Sequence, residues 1–124
     1  MMFVGKHSSG SSPDSGASRM GQVRTRATAR EDLVAHFVYL AESASLETAE
    51  RFLTRAEESF TDLASHPDMG SPLALRAREL AGVRKWRVKE FENFLIFYQP
   101  GHDGVTVIRV LHASRDWWAL LGLL

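Results

Sequence analysis

The sequence predicts an α+β domain, a helical hairpin packed on a small antiparallel sheet in the order β-α-α-β-β-β. Three observations predict it. Two apolar stripes at helical spacing lie between Thr28 and Pro67, separated only around Ser45. Apolar runs of strand length then recur at Val83–Val88, Phe94–Tyr98 and Val105–Leu111. A short alternating segment precedes them all.

That first segment runs from Gln22 to Ala27 and alternates Val23 and Thr25 with Arg24 and Arg26, the pattern of a strand with one polar side. Thr28 and Glu31 stand at capping-box spacing, so a helix is expected to start there. Its apolar positions are Leu33, Val34, Phe37, Val38 and Ala41. A second helix restarts at Ser45 and sets Ala49, Phe52, Leu53, Ala56, Phe60 and Leu63 on one stripe. Pro67 ends it, and the short gap between the helices makes them antiparallel neighbours. "SHPDMGSP" is a loop by its Pro and Gly content, and Leu73–Leu80 has room for a short helical turn. In "VRKWRV", Trp86 and Val88 share one side and Lys85 and Arg87 the other. "FLIFY" is uninterrupted and apolar, as in a central strand. "PGHDG" turns the chain into the last strand, whose alternation places His112 with Val110 and Ile108, opposite Leu111 and Arg109.

The chain has 124 residues, 44% hydrophobic and 24% charged, which suits one domain with a real core. Residues 1–20 are Ser/Gly-rich over most of their length and are expected to be a flexible leader, Met20 being a natural start, with one domain over 21–124. The absence of cysteine excludes disulfides, thiol catalysis and cysteine-ligated zinc. No stretch has the length and apolarity of a bilayer span, and a soluble cytoplasmic protein without membrane contact is expected. The net charge is zero but uneven. Residues 29–66 hold three Arg/Lys against eight Asp/Glu, and residues 67–89 hold six against two. Such a split gives one face that repels polyanions and another that can meet them.

The C-terminal "HASRDWW" gathers His112, Arg115 and Asp116 beside Trp117 and Trp118. A histidine base oriented by an aspartate needs a nucleophile, and the nearby hydroxyl, Ser114, lacks a glycine-rich elbow. His112 and Asp116 therefore read as a structural corner. The two tryptophans together read as part of a contact surface, since both are hard to bury at one chain end. His7, His36, His66, His102 and His112 have no metal-ligand spacing, and nothing resembles a phosphate loop. No metal or cofactor is expected.

The segments "REDLVAHFVYLAE", "AERFLTRAEESFTDLASHPDMGSP", "FLIFYQP" and "VIRVLHASRDW", in this order, resemble the ParE branch of the RelE/ParE family of type II toxins. The resemblance implies a growth inhibitor neutralised by a ParD-like antitoxin, with DNA gyrase as the target. RelE-like members instead cut messenger RNA on the ribosome, with basic groups on the sheet and a C-terminal tyrosine. Arg84, Lys85, Arg87 and Lys89 are present here, but Leu95 replaces the arginine inside the third strand and Trp117 and Trp118 follow where the tyrosine would come. Catalysis is accordingly not expected. The alternatives are a ribosome-dependent endoribonuclease with substituted residues and a non-toxic antitoxin-binding module. Arg84, Arg87, Lys89, Arg109, Arg115, Trp117 and Trp118 are the candidate contacts with antitoxin or target. An antitoxin tail that folds on binding is expected to set acidic residues over Arg84, Arg87 and Lys89. Direct nucleic-acid binding without a partner is not expected.

Overall fold

The computed structural model describes residues 21–75, 77–115 and 117–121, without the side chains at 117 and 118. The expected leader and Asp116 lie outside the described residues. The chain forms β1 (Gln22–Thr25), α1 (Ala27–Ser43), α2 (Leu46–Ser65), β2 (Ser71–Pro72), β3 (Arg84–Val88), β4 (Phe91–Pro100), β5 (Gly104–His112) and α3 (Trp117–Leu120). Single 3₁₀ turns occupy Pro67–Met69 and Arg78–Leu80. The sheet order is β1-β5-β4-β3-β2, so the apolar "FLIFY" run is indeed central. The expected α+β order stands, with one difference in pairing. β1 joins β5 in parallel, which makes the sheet mixed rather than wholly antiparallel.

The helical hairpin covers one face of the sheet. Phe52, Ala56, Phe60 and Leu63 of α2 are buried against Val88, Phe94, Ile96, Tyr98, Val105, Val107 and Val110, and Ala49 on the same helix is buried as well. Trp86 packs at the margin of this core, on the side predicted for it. α2 starts after Ser45, where the sequence restarts the helix, and Ser45 caps it, its Oγ accepting from the Thr48 amide at 3.0 Å. The opposite face has a smaller core of Leu80, Val83, Phe97, Ile108, Leu111 and Leu121, covered by the 73–83 segment and the C-terminal turn. Ile108 belongs there, away from Val110, because the β4–β5 register shifts between Phe97 and Tyr98. That bulge breaks the simple alternation read from the sequence.

Two expectations about α1 fail. The helix starts at Ala27 with no side-chain cap, so Thr28 and Glu31 form no capping box. Val34 and Val38, expected on the inner stripe, are 63% and 47% exposed. The inner side carries Leu33 as expected, but with Ala29, Leu40 and the polar Thr28, Asp32 and His36 in place of the valines. A period count over apolar residues alone therefore rotates the helix wrongly.

The loop after α2 is anchored by Tyr98. Its hydroxyl donates to the Pro67 carbonyl at 2.7 Å and accepts from the Gly70 amide at 2.9 Å. Gly70 is needed here, since a Cβ would stand 2.6 Å from that hydroxyl and 2.8 Å from the Lys85 carbonyl. Gly104 lies in the positive-φ region, where a Cβ would come 2.0 Å from the Gln22 carbonyl oxygen. Parallel pairing of β1 thus depends on glycine at 104. Tyr98→Phe leaves the buried Gly70 amide without an acceptor, so it should cost about 1–3 kcal/mol. Urea unfolding checks this, with the midpoint falling and the slope unchanged.

Candidate functional site

The C-terminal half of β5 is paired with β4 on one edge and lacks a strand on the other. β1 reaches only from Gly104 to Val107, after which the chain turns into α1. The outward backbone groups of β5 still need partners, because an unpaired buried amide or carbonyl costs about 1–3 kcal/mol. α1 supplies them from its side chains. Thr28 Oγ1 lies 3.5 Å from the Ile108 carbonyl, Asp32 Oδ2 accepts from the Val110 amide at 2.9 Å, and His36 Nε2 donates to the Val110 carbonyl at 2.6 Å. These residues are spaced by four, one above another on a helix, so the helix presents the polar edge of an absent strand.

Asp32 is the hub. Besides the Val110 amide it accepts from Arg109 Nε at 2.8 Å and Arg109 Nη2 at 2.9 Å. Its side chain is 12% exposed and that of Arg109 22%. Hydrogen bonding to Asp32 raises the affinity of the guanidinium for its proton further. The remaining Nη1 donates to the Leu120 carbonyl at 3.3 Å. His36 sits beside this pair, edge-on to Phe52 and Phe94, and His112 packs edge-on against Phe94 from the other direction.

The other sequence-predicted residues are distributed around the sheet. Arg84 donates to the carbonyls of Asp68 and Gly70 and ties β3 to the loop. Lys89 lies 3.8 Å from Glu58 and 3.4 Å from Asp62 of α2. Arg87 is exposed, with its guanidinium 4.5 Å from the centre of the Trp86 ring. Arg115 is exposed, and its amide donates to the His112 carbonyl at 3.0 Å. His112 Nδ1 contacts Ser114 Oγ at 2.8 Å and accepts from the Ser114 amide, a local turn at the strand end. Positions 117 and 118 fall in α3, and Asp116 lies outside the described residues. Among the described residues, only Arg109 of the candidate contacts joins the Asp32 hub. Leu95, where a ribonuclease of the RelE kind would offer arginine, packs on the smaller core. Among the described residues no group of three His, Asp or Glu could hold a metal ion.

Asp32 and His36 were missed by sequence reading. The available signal was Thr28, Asp32 and His36 at four-residue steps on a helix next to an apolar stripe, a polar line with no reason to face solvent. A second missed feature is the outer side of the hairpin, where Val34, Val38, Tyr39 and Leu46 are exposed.

Fold and site together define a small α+β protein in which a helical hairpin locks the end of the sheet and leaves apolar side chains outside. The family model described as "ParE toxin of type II toxin-antitoxin system, parDE" matches residues 23–117. The chain belongs to this ParE toxin family. Among solved structures, the "Chromosomal ParDE TA system from P. aeruginosa" shares the fold, with a TM-score of 0.62 and 16% identity. The match covers 78% of this chain and 100% of that one. No curated protein matches the sequence. No helix among the described residues is long and apolar enough to cross a membrane.

Burial pushes the His36 imidazole below its ordinary pKa, against the opposing pull of the Val110 carbonyl and Asp32; His112 and Arg115 add to the lowering. The unfolded chain therefore takes up this proton first as pH falls. His36 contributes stability that is complete above about pH 6.5 and is lost progressively below it. His36→Gln keeps a donor for the Val110 carbonyl and does not titrate. Thermal melts from pH 7.5 to 5 should show a smaller loss of Tm in this variant than in the native chain.

Proposed function

We propose that this chain is the toxin of a ParDE-type pair, inhibiting growth by binding DNA gyrase and neutralised by its cognate antitoxin. The observation that carries the reading is the family match over nearly the whole described chain. The absence of a cation at position 95 supports binding over RNA cleavage, since phosphoryl transfer requires charge stabilisation at the phosphorane. Induced expression should arrest growth, co-expression of the antitoxin should release it, and the purified chain should inhibit DNA supercoiling by gyrase. Site-specific cuts in translated mRNA, with supercoiling unaffected, would favour the ribonuclease reading instead.

The partner's amphipathic tail would cover Val34, Val38 and Tyr39 on α1 and Leu46 at the start of α2. Helix-in-groove recognition draws its affinity from apolar anchors of this kind. The electrostatic part of the contact falls to Arg87, because Arg84 and Lys89 are already bound to the loop and to α2. Charge reversal at Arg84 would loosen the 67–72 loop and is a poor probe of binding. Val34→Asp with Val38→Asp should weaken antitoxin-tail binding by about tenfold or more. Arg87→Glu should weaken it by less than about tenfold and in a salt-dependent way. Titration of the tail peptide at two ionic strengths measures both.

A further inference from the structure

We propose that Asp32 is a positioning residue which, acting through Arg109, fixes the C-terminal turn; the inference rests on the sequence reading of Trp117 and Trp118, at the start of this turn, as contacts, and assigns them to the target rather than to the antitoxin tail. The Val110 amide needs a single acceptor, which a neutral side chain could provide. Asp32 brings a carboxylate, and the site draws an arginine around the strand to meet it. Arg109 pairs with Phe97 in the β4–β5 ladder, and Phe97 lies in the smaller core on the face away from the hairpin. Its side chain nevertheless reaches α1, placing two nitrogens against the carboxylate at 2.8 and 2.9 Å. A planar guanidinium held by two bonds has its third nitrogen fixed in direction. That nitrogen meets the Leu120 carbonyl at 3.3 Å.

The recipient cannot hold itself in place. α3 has four residues, far below the length at which a helix is stable alone. Its last carbonyls lack intrahelical partners. Leu120 and Leu121 dock on the smaller core, but apolar contact is non-directional and leaves rotation of the turn loosely set. Arg109 supplies the direction, and Asp32 supplies the direction of Arg109. Residues 117 and 118 occupy the start of this turn.

The test uses the full chain and two single variants. Asp32→Asn keeps an acceptor for the Val110 amide and removes the charge. Arg109→Lys keeps a cation opposite Asp32 and removes the planar fork. Amide exchange at Ala119–Leu121 should rise about tenfold or more in both, while Val107 stays within about twofold of native. Growth arrest on induction should weaken by about tenfold, with antitoxin affinity within about threefold of native. A merely structural role would move Val107 exchange and antitoxin affinity together with the rest. Should a single variant fail to fold, Asp32→Asn with Arg109→Met removes both charges while keeping an acceptor for the Val110 amide, a replacement of an ion pair that folded proteins often tolerate, and must show the same local loosening. Native exchange at Ala119–Leu121 in folded variants overturns the inference, as does loosened exchange with undiminished growth arrest. If the native chain arrests growth but leaves gyrase unaffected, the gyrase reading fails, and the exchange and growth comparisons still decide the role of Asp32.

Discussion

The strand β5 is longer than β1 on its outer side, and the arrangement of the molecule depends on how the edge left open there is closed. A sheet edge buried under a helix cannot leave its amides and carbonyls without partners. α1 meets the requirement with Thr28, Asp32 and His36, whose bonds to Ile108 and Val110 continue the ladder where β1 stops. This fixes the rotation of α1 about its axis. Polar residues occupy part of the inner side, and two valines consequently face outward. The outward apolar surface and the inner polar stripe are two results of one constraint.

Charge follows a related logic at the other side of the hairpin. The acidic and basic halves of the sequence meet within the fold at the β3–β4 turn. Glu90 adopts a positive φ of 69°, a conformation that L-residues adopt at a cost. Arg55 lies 3.0 Å from its carboxylate and Arg51 3.8 Å. The Lys89 amide donates to buried Ser59 Oγ at 2.9 Å, while Lys89 Nζ faces Glu58 and Asp62. Exposed pairs of this kind contribute little one by one, about 0–1 kcal/mol each. Their joint effect is geometric, holding a strained turn against α2. Within the basic stretch, Lys89 is thereby engaged by α2 and Arg84 by the loop before β3, which leaves both less available to a partner.

The two cores differ in how they are covered. The larger core, under the hairpin, contains the fully buried aromatic residues of β4 and α2 on that side. The smaller one is roofed by the 73–83 segment and the C-terminal turn rather than by long helices. Short irregular cover of this kind opens at lower free energy than packed helices. A directional tie such as Arg109 to Leu120 has more influence there than it would in the larger core.

Sequence alone determined the order of elements, the α2 stripe, the restart of the chain at Ser45 and the central place of "FLIFY", because each rests on local periodicity or local turn chemistry. It also carried the family resemblance. Tertiary structure decided the parallel pairing of β1, the register shift that moves Ile108 to the other face, the rotation of α1 and the partners of Arg84, Lys89 and Arg109. Each of these joins residues far apart in the chain. Asp32 and Arg109 are 77 positions apart, and His36 and Val110 are 74 apart. A polar residue at helical spacing looks the same in sequence whether it faces water or an unpaired strand edge. Only the length of β1, set against that of β5, decides which it meets.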